Sequence, residues 1–140
     1  MTARTPRTGT RTGTFVNLST CVLLAVLVAC GRGASHPASA DISAQDVLAF
    51  AGKSDAPLVL DVRSPEEYAS GHVPGAKNVE YDQVAARLGE LGSPREVVVY
   101  CEHGGRAAKA ADVLAGAGFR VKHMSGDMSG WRDAGLPTER

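Results

Sequence analysis

Short apolar runs divide the second half of the chain into regular segments. Residues 58–62 (LVLDV) and 97–100 (VVVY) are the clearest of these runs. Runs of this length, rich in aliphatic and β-branched side chains, are typical of strands buried on both faces of a sheet. Residues 77–80 and 119–123 show the same tendency more weakly. These four segments predict the strands of one sheet.

Helical patterns lie between the predicted strands. Ser43 precedes apolar positions at helical spacing, and residues 64–67 (SPEE) match a capping box with proline in the first turn. Residues 81–91 hold apolar side chains at i, i+4 and i+7, which predicts an amphipathic helix. Residues 107–117 and 127–134 predict two further helices. The alternation favours an α/β fold, a three-layer sandwich whose central, mainly parallel sheet is flanked by helices.

The first 40 residues differ in composition from the rest of the chain. The only charged residues before Arg32 are three arginines, and the first acidic residue is Asp41. Residues 15–29 are mostly apolar but fall short of the roughly 20 residues that a bilayer-spanning helix needs. A basic leader, a short apolar block and small residues at its end are typical of a secretory signal.

The end of this block carries a more specific pattern. Leu27-Val28-Ala29-Cys30 followed by Gly31 resembles the bacterial lipobox, in which the cysteine is lipidated and the chain is cut just before it. We therefore predict a lipoprotein signal peptide over 1–29, a lipidated Cys30, a flexible tether over 30–40 and a domain over 41–140. That places the domain outside the cytoplasm, on the periplasmic side of a membrane. An uncleaved anchor predicts the same topology, and a lone thiol at a helix end is the remaining alternative.

Charge and composition narrow the classes of function. The formal net charge of zero combines three arginines in the leader with twelve basic and fifteen acidic residues from Cys30 onward. A mildly acidic mature protein of one domain is not typical of nucleic-acid binding. The histidines share no metal-ligand spacing and Cys101 has no CxxC companion, so we predict neither a metal nor another cofactor.

The segment 101–106 (CEHGGR) is the candidate for chemistry. Cys101 follows the strand predicted at 97–100, and Gly104 and Gly105 allow a tight loop before the next helix. Loop amides and a helix N-terminus facing the sulfur would stabilise a thiolate. The alternative is a buried structural cysteine.

Three motifs in order carry a family resemblance: Asp61-Val62-Arg63, Gly71-His72-Val73-Pro74-Gly75-Ala76 and the cysteine loop. From about residue 42 to 137 the chain is similar to the rhodanese domain of sulfurtransferases, whose single-domain members include periplasmic ones. The resemblance implies a catalytic Cys101 that takes sulfur from a donor such as thiosulfate, becomes a persulfide, and passes the sulfur to cyanide or a thiol, including a protein thiol.

The resemblance also assigns roles to neighbouring residues. It implies structural support from Asp61, Arg63 and His72. The residues it implies for substrate binding are Glu102, His103, Gly104, Gly105 and Arg106.

Several of these roles stay open at this point. Arg106 either binds the anionic end of the donor or holds the loop. Glu102 either repels a dianion at the mouth or faces solvent, and His103 either carries a proton or faces water. The resemblance further implies two glycines before the last helix, where this chain has Gly126-Asp127.

Other functions compete with sulfur transfer. Related phosphatases and arsenate reductases place an arginine six positions after the cysteine, whereas Arg106 lies five positions after Cys101. The shorter loop favours sulfur over phosphorus or arsenic. A persulfide carrier or partner-binding module without turnover is the other alternative.

Overall fold

The structure is a computed structural model, and it describes residues 40–140. The elements in chain order are β1 (Ala40–Ile42), α1 (Ala44–Phe50), β2 (Leu58–Asp61), α2 (Pro65–Ser70), β3 (Lys77–Asn78), a 3₁₀ helix (Leu88–Leu91), β4 (Glu96–Tyr100), α3 (Gly105–Gly116), β5 (Arg120–Met124) and α4 (Asp127–Asp133). The five strands are parallel throughout, in the order β1-β5-β4-β2-β3. The α/β prediction is confirmed.

Two apolar clusters cover the two faces of the sheet. Side chains alternate along β4, so that Val97 and Val99 pack with α3 on one face. Val98 and Tyr100 pack on the other face with residues of α1 and α4, among them Trp131. This arrangement gives the three predicted layers. Cys101 follows the end of β4, which belongs to the central layer.

The predicted helix starts are found at both serines. Ser64 Oγ accepts a hydrogen bond from the Glu67 amide at 3.3 Å, and Glu67 Oε2 accepts one from the Ser64 amide at 2.9 Å, which completes the capping box of α2. Ser43 Oγ accepts from the Asp46 amide at 3.1 Å and caps α1.

The amphipathic helix predicted over 81–91 is wrong. The backbone follows successive turns and forms only the short 3₁₀ helix at its end, with mainly i to i−3 hydrogen bonds. The Tyr81 amide donates to the Val62 carbonyl at 3.1 Å, which ties the start of the segment to the end of β2. Gly89 and Gly92 weaken a regular helix at the other end. Val84 and Leu91 are nevertheless buried, so the predicted apolar face was right although the helix type was not.

The pattern did not predict β1. This strand is three residues long, mostly exposed, and pairs only with β5, so it has neither the length nor the apolar content of a strand signal. The predictions of a signal peptide over 1–29, of lipidation at Cys30 and of a tether over 30–40 lie outside the described residues, except for Ala40, which belongs to β1 and not to a tether. No helix within residues 40–140 has the length and apolar content required to span a membrane.

Candidate active site

Cys101 lies directly after β4, and its side chain is 1% exposed. The Gly104 amide donates a hydrogen bond to Cys101 Sγ at 3.0 Å. Gly104 adopts φ +89°, which favours glycine, and it directly precedes the twelve-residue helix α3. The sulfur therefore faces a backbone donor close to the positive end of a helix dipole, as the loop pattern predicted.

With His123, Glu67 and Arg132, Asp127 is one of the residues of this site that the sequence did not predict. Its carboxylate accepts a hydrogen bond from the Cys101 amide at 2.8 Å and lies 3.1 Å from His123 Nε2 through each oxygen. A Cβ at Gly104 would lie 3.2 Å from Asp127 Oδ2, so the carboxylate packs directly against the loop at Gly104. The signal in the sequence was the Gly126-Asp127 pair, since Asp127 adopts φ +52°, a region that aspartate tolerates better than most residues.

Asp127 and His123 stabilise each other's charged forms. The hydrogen bond to Asp127 raises the pKa of His123 above its ordinary value, more than burial lowers it. Burial raises the pKa of Asp127, but hydrogen bonds from His123 and from the Cys101 amide outweigh it, so the net pKa is lowered. This carboxylate–imidazole pair lies against the cysteine loop at Gly104.

Arg106 is held by a carboxylate from a distant segment. Its Nη1 and Nη2 donate to the two oxygens of Glu67 at 2.6 and 2.7 Å. This paired geometry joins the first turn of α2 to the first turn of α3 and fixes the exit of the cysteine loop. Hydrogen bonds from Arg106 are the main reason that the pKa of Glu67 falls to about 2.

The Glu102 side chain is paired with arginines at the mouth of the loop. It therefore neither points freely into solvent nor leaves its negative charge uncompensated. Its carboxylate is hydrogen-bonded to Arg132 of α4 and lies 3.4 Å from Nη1 of Arg63. Two cations therefore compensate its charge. His103, the next residue, is exposed.

Asp61 and Arg63 form a buried pair behind the loop. The Arg63 Nη2 donates to Asp61 Oδ2 at 2.6 Å and to the Gly71 carbonyl at 2.8 Å. The guanidinium thus connects the end of β2, the start of the turn at Gly71 and, through Glu102, the cysteine loop.

His72 lies in the turn rather than beside Cys101. Its ring stacks on Tyr68 with centroids 3.6 Å apart, and its Nδ1 is 3.0 Å from the Tyr68 carbonyl. Its backbone pairs with Glu139 near the C-terminus. These contacts hold the turn against the C-terminal segment. Within residues 40–140 there is no cluster of three metal-ligating side chains.

Known proteins resemble this chain in sequence and in fold. It is 35% identical over 119 residues to thiosulfate sulfurtransferase 16 of Arabidopsis thaliana, an alignment that covers 74% of this chain and 93% of that protein. It is 42% identical over 84 residues to an HTH-type transcriptional regulator of Mycobacterium tuberculosis, covering 58% of this chain but only 37% of the regulator.

Solved structures and a family match agree with these relatives. A rhodanese-related protein of Thermoplasma volcanium superposes with a TM-score of 0.64 at 27% identity, covering 71% of this chain and 97% of that one. Residues 43–134 match the Rhodanese-like domain family, and this match includes every element from α1 to α4 and the loop at Cys101. The chain therefore belongs to the rhodanese-like domain family.

Proposed function

We propose that this protein is a sulfurtransferase that carries sulfane sulfur on Cys101. The Cys101 thiolate attacks the outer sulfur of a donor such as thiosulfate, the S–S bond of the donor breaks, and its electron pair leaves with sulfite. The product is a Cys101 persulfide. Cyanide or a thiolate then attacks the terminal sulfur, and the Cys101 thiolate is regenerated with its electron pair. Neither step consumes an oxidant, a reductant or a metal.

The observation that carries this proposal is the geometry at Cys101 Sγ. The Gly104 amide donates to the sulfur, and α3 begins one residue later, so partial positive charge faces Cys101 Sγ, which carries the negative charge of the nucleophile before attack and again when the acceptor has removed the sulfur. The thiosulfate sulfurtransferase among the relatives supports the same chemistry.

A persulfide assay on the full chain tests the proposal. Thiosulfate should add 32 Da to the peptide that contains Cys101, and subsequent cyanide should remove the added mass and release thiocyanate. The C101S variant, checked for folding by its circular dichroism, should do neither. Thiocyanate formation by folded C101S would refute the role of this cysteine.

A persulfide carrier without turnover is the second candidate, and Glu102 favours it. Its carboxylate at the loop disfavours an inorganic dianion as donor, although Arg132 and Arg63 compensate its charge. A carrier would accept the added 32 Da on Cys101 but release it only to a partner protein. Repeated turnover of thiosulfate with cyanide or a small thiol as acceptor would argue against the carrier.

We further propose that the protein is a lipoprotein that is anchored to a membrane with its domain on the periplasmic side. The support is the basic leader, the apolar block and the Leu27-Val28-Ala29-Cys30 pattern. Two or three acyl chains on Cys30 would anchor a domain stably. Globomycin should cause the unprocessed form to accumulate, and C30S should prevent palmitate incorporation. Normal processing under globomycin would exclude lipoprotein maturation.

A further inference from the structure

We infer that Asp127 is a positioning residue for the Cys101 nucleophile and that His123 holds its carboxylate in place. The inference rests on the proposed function, because it concerns the reactivity of Cys101. Asp127 has no direct part in the sulfur transfer itself. It acts through the backbone of Cys101 and through the Gly104 amide.

The start of α4 holds both polar groups of the Cys101 backbone. Asp127 Oδ1 accepts from the Cys101 amide at 2.8 Å, and the Met128 amide donates to the Cys101 carbonyl at 3.0 Å. The Ser129 amide also donates to the Glu102 carbonyl at 3.3 Å. The cysteine is thereby fixed to α4 at the point where β4 ends.

The same carboxylate supports the donor to the sulfur. Gly104 packs so closely on Asp127 Oδ2 and on His123 Cε1 that an added Cβ would lie 3.2 and 3.3 Å from these atoms. The position of the Gly104 amide, 3.0 Å from Sγ, therefore depends on where the carboxylate lies. The Asp127 side chain thus fixes the position of the Cys101 sulfur relative to the Gly104 amide that donates to it.

The backbone conformation of Asp127 further indicates that this contact has a functional role. Its φ of +52° is unusual for a residue with a Cβ, and glycine would adopt it at lower cost. Strain of this kind persists where surrounding contacts impose it, and it is concentrated at active sites. Here the contacts that hold Asp127 are the Cys101 amide and His123.

His123 makes the arrangement sensitive to pH. The charged groups that face it are Asp127 from the start of α4 and Asp41 from β1. A protonated His123 balances the carboxylate beside the sulfur. When His123 loses its positive charge as the pH rises, its Nε2–H can still donate to the carboxylate, but the negative charge of Asp127 beside Cys101 is no longer balanced. A smaller fraction of Cys101 should then be in the reactive thiolate form at a given pH.

Substitutions at Asp127 in the full chain test the inference. D127G suits the backbone conformation, so it should fold, but it removes the carboxylate. We expect kcat for persulfide formation to fall at least about tenfold with little change in KM, because the nucleophile and not the donor site is displaced. D127N, which can still accept from the Cys101 amide, should recover part of the loss. D133N, which alters an exposed carboxylate on the same helix, should behave as the wild type.

A second readout does not require sulfur transfer. Because iodoacetamide reacts with the thiolate, its rate with the Cys101 peptide, followed by mass spectrometry, should rise with pH to a plateau in the wild type. The midpoint should lie at higher pH in H123Q, which keeps the carboxylate without its cation, and the plateau rate should be lower in D127G. Folded D127G with wild-type kcat and an unchanged alkylation profile would overturn the inference. If the alkylation profiles change as expected while the wild type transfers no sulfur, the proposed function fails and the positioning role stands.

Discussion

Replacing Arg63 with methionine should destabilise the domain more than any exposed arginine substitution. Arg63 and Asp61 are 1% and 0% exposed, and the guanidinium also donates to the Gly71 carbonyl. Burial alone would lower the pKa of Arg63, but the hydrogen bonds and charge of Asp61 outweigh it and raise the pKa. The R63M variant leaves a buried carboxylate without its cation and a carbonyl without its donor.

The structure sets the size of this effect. Removing one partner of a buried ion pair costs about 3–5 kcal/mol of unfolding free energy, against about 5–15 kcal/mol for a whole domain. Arg87 provides a matched control, because it also makes two hydrogen bonds to one carboxylate, that of Glu90, but the two side chains are 42% and 48% exposed. R87M should cost at most about 1 kcal/mol.

Urea unfolding followed by fluorescence measures the difference. Trp131 is the chain's single tryptophan and is fully buried, so its emission reports loss of the core. With a urea m-value of about 2 kcal/mol per molar, the R63M midpoint should fall by about 2 M and the R87M midpoint by less than about 0.5 M.

A double substitution separates charge from packing. If the cost of R63M comes from the uncompensated carboxylate, adding D61N should restore part of the lost stability, even though D61N alone destabilises. The reasoning is refuted if R63M shifts the midpoint no more than R87M, or if D61N lowers the stability of R63M further.

Three other substitutions test the remaining contacts. E102Q should raise kcat/KM for thiosulfate by roughly fivefold, since it removes a negative charge near the mouth, and an unchanged value in steady-state kinetics would contradict this. The pKa of Glu67 lies near 2 instead of 4.5, so its pairing with Arg106 stabilises the fold above pH 4.5, and this stability is lost as pH falls toward 2. E67Q should therefore flatten the dependence of melting temperature on pH in that range, and an unchanged slope would exclude the pair as its source. G104A should lower both the melting temperature and the rate of persulfide formation, because its Cβ would press on Asp127 from a φ of +89°. Wild-type values of both quantities would show that the loop tolerates a side chain there.

The parts of the fold that could be predicted are those that neighbouring residues in the sequence specify. The capping box at residues 64–67 and the apolar run at 97–100 each act within a few residues, so neighbouring side chains are enough to specify them. Segment 81–91 shows the limit of the same reasoning. Its apolar spacing was correct, but a hydrogen bond from Tyr81 to the distant Val62 carbonyl and two glycines decided the backbone.

The site was harder to predict than the fold because its contacts join distant segments. Arg106 meets Glu67 across 39 residues, and Asp127 meets the Cys101 amide across 26. No spacing rule connects such pairs. The cysteine loop itself was recognisable because its strand, its glycines and its helix are consecutive in the chain. Asp127 was visible only as an aspartate after Gly126, where the family resemblance implies a second glycine.

Some charged side chains around Cys101 hold the site together, whereas others can change partner when a donor binds. Arg63 is buried with Asp61, and Arg106 is held by Glu67 through two hydrogen bonds, so neither cation is free for a donor without loss of structure. Arg132 is the most exposed of the three arginines, at 50% against 31% for Arg106 and 1% for Arg63. An anionic donor can therefore gain a cation at least cost by displacing Glu102 from Arg132. The Gly104 amide keeps its hydrogen bond to the sulfur whichever partner Arg132 has.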